Sequence, residues 1–307
     1  MSRMLVVITI VAAAVVPLPV GAESVVTWTE MPEWAPPEVG TQPCSGDLDG
    51  DGDNDMIVSQ FMMALENTGS ASSPAWSERP EWVAGIGHCT GIKPAMGDLD
   101  ADGDQDLVLG CFYGEMIYYE NVGSSTEPVW SRNDAYFHDQ FSQRRAPGVA
   151  DLDGDGDLDI VAGRASGGVL TCYWNDGTPA VPVWRIDHEA FADIYPSGIS
   201  IDPNFADLDG DGDVDLVTAP DSDTGTLEAY ENIGSPMQAV WVFNRDLLTG
   251  IPTPSECFGA CLTDLDGDSD PDLIIRSFMC VRCYRNDGPV TPVDGGTSWG
   301  TIKAMFK

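Results

Sequence analysis

One acidic nonapeptide, Asp-x-Asp-x-Asp-Gly-x-x-Asp, recurs five times along the chain and constrains its fold more tightly than any other feature. The copies begin at Asp47, Asp98, Asp151, Asp207 and Asp264, at intervals of 51, 53, 56 and 57 residues, and the fifth carries Ser in place of Gly. Repetition at such a period describes an array of similar units, none of which can bury its apolar face alone. Several carboxylates on one tight loop repel each other until a hard cation sits between them. Calcium, which takes about six to eight oxygens in a flexible shell, suits such a loop.

The candidate metal residues are all the aspartates of the five loops. They are Asp47, Asp49, Asp51, Asp53 and Asp55 in loop 47–55, and Asp98, Asp100, Asp102, Asp104 and Asp106 in loop 98–106. Loop 151–159 carries Asp151, Asp153, Asp155, Asp157 and Asp159; loop 207–215 carries Asp207, Asp209, Asp211, Asp213 and Asp215. Loop 264–272 carries Asp264, Asp266, Asp268, Asp270 and Asp272. Position six is Gly52, Gly103, Gly156, Gly212 or Ser269. A chain wrapping a cation turns sharply there and needs a positive φ, which Gly accepts at little cost. An EF-hand is excluded, because its loop closes with a bidentate Glu at position twelve. Position twelve is Val58, Leu109, Ala162, Thr218 or Ile275.

Each loop runs into a short β-branched stretch, such as Met56-Ile57-Val58 or Leu107-Val108-Leu109, and follows a small residue: Gly46, Gly97, Ala150, Ala206 or Thr263. The pattern predicts a loop inside a β-hairpin whose first strand is crowded against a central axis. A third strand ends in Asn, with Gly two residues on, at Asn67, Asn121, Asn175, Asn232 and Asn286. Nine residues after the Asn stands Trp76, Trp130, Trp184 or Trp241, which predicts a fourth strand whose Trp packs between units. The fifth unit has Gly295 at that place, yet the segment Trp28–Trp34 (WTEMPEW) closely matches Trp76–Trp82 (WSERPEW). The first segment is therefore expected to supply the last unit's missing strand. An open solenoid is the competing topology; a ring closed by both ends leaves no free sheet edge. The expected fold is all-β, a five-bladed β-propeller of four-stranded blades over residues 23–294.

The strings at 97–110 (GDLDADGDQDLVLG) and 150–163 (ADLDGDGDLDIVAG) resemble FG-GAP/VCBS repeats, the family that includes the integrin α-subunit propeller. The resemblance covers nearly all of residues 24–293 and implies calcium held in the hairpin between the first two strands of each blade. It implies side-chain ligands at positions one, three, five and nine, with position seven offering its backbone carbonyl. Integrin-type propellers usually have seven blades, so the count of five rests on the repeats themselves.

Composition narrows the function. The formal net charge is -36, and half of the 50 acidic residues lie in the five loops. With 14 Lys and Arg there is no basic stripe to follow a phosphate backbone, so no nucleic-acid partner is expected. Residues 1–22, with Arg3, the apolar run Met4–Val16 and the small residues before Glu23, read as a signal peptide cleaved near Ala22. No stretch is long enough for a transmembrane span. The tail 295–307 lies outside the repeat.

Eight cysteines behind an export signal favour disulfides of unsettled pairing, while the spacing of Cys257, Cys261, Cys280 and Cys283 leaves a zinc site as the minor alternative. The three histidines, His88, His138 and His188, form no catalytic motif and are expected on the surface or in loops. Trp34, Trp82, Tyr118, Tyr119, Tyr173, Trp174, Tyr230 and Tyr284 are expected to fill seams rather than stack on sugars. The expected function is a secreted calcium-binding module for an extracellular glycan or protein. The alternative is an exported polysaccharide-active lyase or hydrolase, a choice that fold alone does not settle.

Overall fold

The computed structural model describes residues 24–36, 42–59, 62–70, 73–87, 89–113, 115–134, 145–164, 169–197, 201–220, 226–235, 237–252, 257–277 and 281–290, the side chains of Arg145, Arg164, Cys257, Phe258 and Ser277 excepted. Among the described residues twenty strands form five antiparallel four-stranded sheets. The first blade is β2 (Pro43–Gly46), β3 (Asp55–Val58), β4 (Met63–Asn67) and β5 (Trp76–Glu78). The second is β6 (Lys93–Gly97), β7 (Asp106–Gly110), β8 (Met116–Asn121) and β9 (Trp130–Arg132). The third is β10 (Arg145–Ala150), β11 (Asp159–Arg164), β12 (Leu170–Asn175) and β13 (Trp184–Asp187). The fourth is β14 (Ile201–Ala206), β15 (Asp215–Pro220), β16 (Glu228–Asn232) and β17 (Trp241–Phe243). The fifth is β18 (Cys257–Thr263), β19 (Asp272–Ser277), β20 (Val281–Pro289) and, from the other end of the chain, β1 (Val26–Glu30).

The register shows why β1 belongs there. In four blades the Asn ending the third strand pairs with the Trp opening the fourth: Asn67 with Trp76, Asn121 with Trp130, Asn175 with Trp184, Asn232 with Trp241. In the fifth, Asn286 pairs with Trp28. The ring is thus closed by strand pairing between its two ends, as the repeated WxExPEW segment predicts, and an open solenoid is ruled out.

Adjacent residues of a strand point to opposite faces, so each inner strand serves two seams at once. Ile57 packs towards the second blade with Leu107 and Leu109, whereas Met56 and Val58 pack towards the fifth with Leu265 and Ile274. This explains the unbroken apolar runs after each loop. Five apolar clusters fill the five seams, and full burial of each such side chain contributes about 1.5–3 kcal/mol. The seams are latched by indole N–H groups: Trp76 donates to the carbonyl of Trp34 at 2.9 Å, Trp130 to Trp82 at 2.6 Å and Trp28 to Leu247 at 2.8 Å. Each acceptor lies in a 3₁₀ turn that follows the outer strand of the preceding blade.

The five innermost strands surround a narrow bore of about 80 Å³, lined by Cys44, Met96, Val149, Phe205 and Leu262 among others. Small residues allow the strands to crowd together: a Cβ on Gly97 would lie 2.9 Å from Leu158 of the next blade. One mouth of the bore is crossed by a buried ion pair, Lys93 Nζ to Asp202 at 2.6 Å, joining the second and fourth blades. Lys93 also donates to Gln42, which precedes the first blade.

Replacing Trp28 by Ala removes both the latch and the packing of the closing strand. Loss of a buried Trp costs about 3–5 kcal/mol. Equilibrium denaturation of Trp28→Ala should show a loss of that order; a change under about 1 kcal/mol would mean that β1 does not hold the ring shut.

Candidate metal centres

Each aspartate loop joins the first and second strands of a blade, and the ninth Asp is the first residue of the second strand. The loop backbone takes a left-handed turn twice. Position six has φ of 94° at Gly52, 98° at Gly103 and 76° at Ser269, as expected. Position four is left-handed too, at Gly50, Ala101, Gly154, Gly210 and Gly267. With two such turns in three residues the chain curls, and its carboxylates accept hydrogen bonds from its own amides. Asp47 accepts from Gly50 N at 2.7 Å and from Gly52 N at 3.1 Å. Asp51 accepts from Asp53 N at 2.9 Å.

The ninth aspartate is the fixed point. Asp55 accepts from Leu48 N through one oxygen and from Asn67 N through the other, both at 2.8 Å. The same pair of bonds recurs at Asp106 (Leu99, Asn121), Asp159 (Leu152, Asn175), Asp215 (Leu208, Asn232) and Asp272 (Leu265, Asn286). All five carboxyls are buried, and so is the Leu at position two of every loop. The Asn then accepts through its own side chain from the following hairpin, as Asn67 does from Gly69 N and Ala75 N. One carboxylate therefore ties the loop, the third strand and, through Asn, the outer hairpin.

Oxygen atoms of the first, third and ninth aspartates come together, within 4.8 Å of one another, in every blade. These trios are Asp47, Asp49 and Asp55; Asp98, Asp100 and Asp106; Asp151, Asp153 and Asp159; Asp207, Asp209 and Asp215; and Asp264, Asp266 and Asp272. The fifth-position aspartates (Asp51, Asp102, Asp155, Asp211, Asp268) and the seventh-position ones (Asp53, Asp104, Asp157, Asp213, Asp270) are not members of the trios. At position five the carboxyl turns back on the amide of position seven in all five loops.

Three loop oxygens, Oδ1 of Asp104, Asp153 and Asp266, are buried with no hydrogen-bond partner. A buried carboxylate oxygen left in that state is costly unless a cation meets it. At an effective dielectric of about 20, two charges 4.8 Å apart repel by roughly 3 kcal/mol. The donors are all oxygen, which suits a hard divalent cation. The residues fit such an ion, and each blade can hold one.

The carboxyls register this crowding. Burial pushes Asp55, Asp106, Asp159 and Asp272 up to about 7 and Asp215 up to about 8, against the lowering effect of their amide donors. Burial also raises Asp104 and Asp209 to about 6, with neighbouring loop carboxylates adding to it.

The remaining candidates are placed as follows. Of the eight named aromatics, all are buried except Trp174, which is half-buried under Arg185, so they serve packing. Among the described residues the exposed aromatics are others: Phe112, Tyr113, Tyr195 and Phe243. His188 is exposed and lies 3.4 Å from Thr171 Oγ1; His88 and His138 fall outside the described residues. Cys89 and Cys111 form a disulfide, in line with the expectation that disulfides are favoured, whereas Cys44, Cys172, Cys261 and Cys283 are buried thiols. They sit on sheet faces as small apolar groups, and burial pushes Cys261 and Cys283 up to about 12. The other two zinc-spacing side chains, the tail and the leader segment lie outside the described residues. Among the described residues no helix is long and apolar enough to cross a membrane.

The FG-GAP-like repeat family matches residues 98–162, 151–218 and 207–275, more than half of the chain. Integrin alpha-PS2 of Drosophila melanogaster is 25% identical over 249 residues, which is 70% of this chain; the chain spans 17% of that relative's length. Among solved structures, a lectin from Agrocybe aegerita described as recognising non-reducing terminal N-acetylglucosamine is 17% identical. It superposes with a TM-score of 0.39, covering 86% of this chain and 69% of the lectin. The NanB sialidase from Streptococcus pneumoniae gives 0.45 at 12% identity, covering 75% of this chain and 35% of the enzyme. Superpositions this loose carry no weight for function.

In the metal-free protein the five ninth-position carboxyls keep their protons to higher pH when folded than the usual value of 3.8. Their contribution to stability is complete below about pH 4 and is lost as pH rises through about 7 to 8. Thermal melts of metal-free protein should fall between pH 5 and pH 8, and saturating calcium should flatten that fall. A metal-free melting temperature that climbs over the same range would contradict the burial described above.

Proposed function

The chain belongs to the FG-GAP-like repeat family, and from that premise we propose that it is an extracellular calcium-binding β-propeller that holds a glycan or protein ligand. Calcium is structural in this reading. The five oxygen-only trios, two of which include a buried partnerless oxygen (Asp153 Oδ1 and Asp266 Oδ1), support calcium as the ion. Extracellular calcium modules bind at about 10⁻⁴–10⁻³ M, so at millimolar calcium each site adds about 0.4–1.4 kcal/mol. Five sites together approach the marginal stability of a domain. The Cys89–Cys111 disulfide and the signal-like residues 1–22 support an exported, oxidising location.

One observation carries the binding role. Phe112 and Tyr113, 48% and 76% exposed, stand edge to face with ring centroids 5.4 Å apart. They follow β7, whose opposite end begins at the aspartate loop, so they lie on the face away from the metal centres. Large exposed rings are expensive to keep in water and sit in contacts with ligands far more usefully. The backbone beneath the pair is tied down: Cys111 is bonded to Cys89, Phe112 N donates to Thr90 O at 2.8 Å, and Cys111 N to Glu115 O at 2.8 Å. Beside it Arg132 bridges Glu115 at 2.8 Å and pairs with Asp134, which provides charged hydrogen-bonding groups next to two flat apolar faces. The bore, at about 80 Å³, is much smaller than the roughly 300–1,000 Å³ of a small-molecule site, so the ligand belongs on the outer face.

Chelation should lower the melting temperature by several degrees, reversibly on adding calcium; no shift would remove the structural role of the ion. A glycan array and a cell-surface protein panel, probed with and without calcium, should give calcium-dependent binding. The double variant Phe112→Ala/Tyr113→Ala should lose that binding at least tenfold at an unchanged melting temperature. Progressive depolymerisation of a polysaccharide by the purified protein would favour the exported-enzyme reading instead.

A further inference from the structure

The five metal centres differ in the residue that faces them from the third strand. Leu65 pairs with Met56, Tyr119 with Leu107, Tyr173 with Ile160, Tyr230 with Leu216 and Tyr284 with Leu273. One step further along each register, Glu66, Glu120, Trp174, Glu231 and Arg285 stand opposite the ninth aspartates, on the same face of the sheet. The facing group is thus a carboxylate in three blades, a neutral ring in the third blade and a guanidinium in the fifth.

Their surroundings sharpen the contrast. Glu66 is offset by Arg79 at 2.6 Å. Glu231 is buried and fixed by Asn244 Nδ2 at 2.7 Å and Ser24 Oγ at 3.0 Å. Arg285 is anchored by Asp287 at 2.6 Å, and its charge also bears on Asp266 and Asp272. Arg285 does not close the fifth centre, because Asp266 Oδ1 is buried and has no hydrogen-bond partner. The fifth loop still calls for a cation, but beside a fixed positive charge. Its sixth position is also Ser269, held at φ 76°, a left-handed conformation that an L side chain resists.

We propose that Arg285 makes the fifth centre the weak one, so that calcium fills the loops of the first four blades first and loop 264–272 last. The inference rests on the calcium reading above. Exchanging a carboxylate for a guanidinium changes the charge beside the ion by two units. Several ångströms away and screened by water, that amounts to about a tenfold difference in affinity. The weak centre lies where the ring is closed without a covalent link. Thr29 of β1 pairs with Arg285 and donates to Asp287 at 2.6 Å. From the other side, Asn54 Nδ2 donates to the carbonyl of Asp264 at 2.9 Å. The last ion to bind is therefore the one at the closing blade.

The test is a calcium titration of the purified metal-free protein, with bound ions counted by native mass spectrometry and affinities taken from calorimetry. The wild type should take four ions in a first phase, the third-blade centre, which faces neutral Trp174, filling last among them, and a fifth at about tenfold higher free calcium. Arg285→Glu should move the fifth ion into the first phase, Arg285→Gln should move it part of the way, and Glu120→Arg should displace one ion into the weak phase. Five ions in a single phase, or a fifth ion unmoved in both Arg285 variants with unchanged circular dichroism, would overturn the role of Arg285 while leaving the calcium reading intact. Binding of no calcium would overturn both.

Discussion

A single buried carboxylate, repeated in each blade, organises the molecule. The ninth aspartate of each loop spends one oxygen on the amide of a buried Leu at position two and the other on the amide of the Asn that ends the third strand. The first bond folds the loop onto the hairpin, and the second fixes how far the third strand extends. Such a group is tolerated in an apolar seam because two N–H groups point at it and the first and third aspartates, with which it could share a cation, lie on its open side. Remove it and the loop, the Asn-capped outer hairpin and the candidate cation site lose a common anchor.

From that anchor the two faces of the ring acquire different work. One carries the aspartate loops, where the chain's excess negative charge is gathered and can be neutralised locally. On the other, the chain emerges from the inner strands beside a buried Lys93–Asp202 pair that bridges non-adjacent blades across the bore. A buried pair of this kind is weak evidence for stability in itself. It does bring blades two and four into one fixed relation, on the same side of the ring as Phe112 and Tyr113.

Much of this was legible in the residues. Five nonapeptides at nearly equal spacing gave the blades, Gly at position six gave the turn, and WTEMPEW repeated as WSERPEW gave the closing strand. Other features carried a signal that went unused. Leu recurs at position two of every loop and is as regular as the aspartates, since its amide and side chain are both needed. A small residue recurs at position four, where Ala101 shows that the left-handed turn does not strictly require Gly. The cysteine count pointed to a disulfide but left its pairing open, because an even count does not reveal which thiols face a seam and which meet across a connection.

What the sequence determined by itself was everything that depends on local period: strand, loop, small residue, Asn and Trp at fixed offsets, and hence a ring of five similar units. The tertiary structure decided whatever depends on residues far apart in the chain meeting in space. Thus Trp28 and Leu247 join, Lys93 reaches Asp202, and Arg285 stands opposite Asp272 where three of the other blades have Glu. It also decided that Phe112 and Tyr113 are exposed, whereas Tyr118 and Tyr119 are interior as the repeat suggested. Composition cannot separate those pairs, because a ring in a seam and a ring on a ledge differ only in which neighbouring blade comes to cover them.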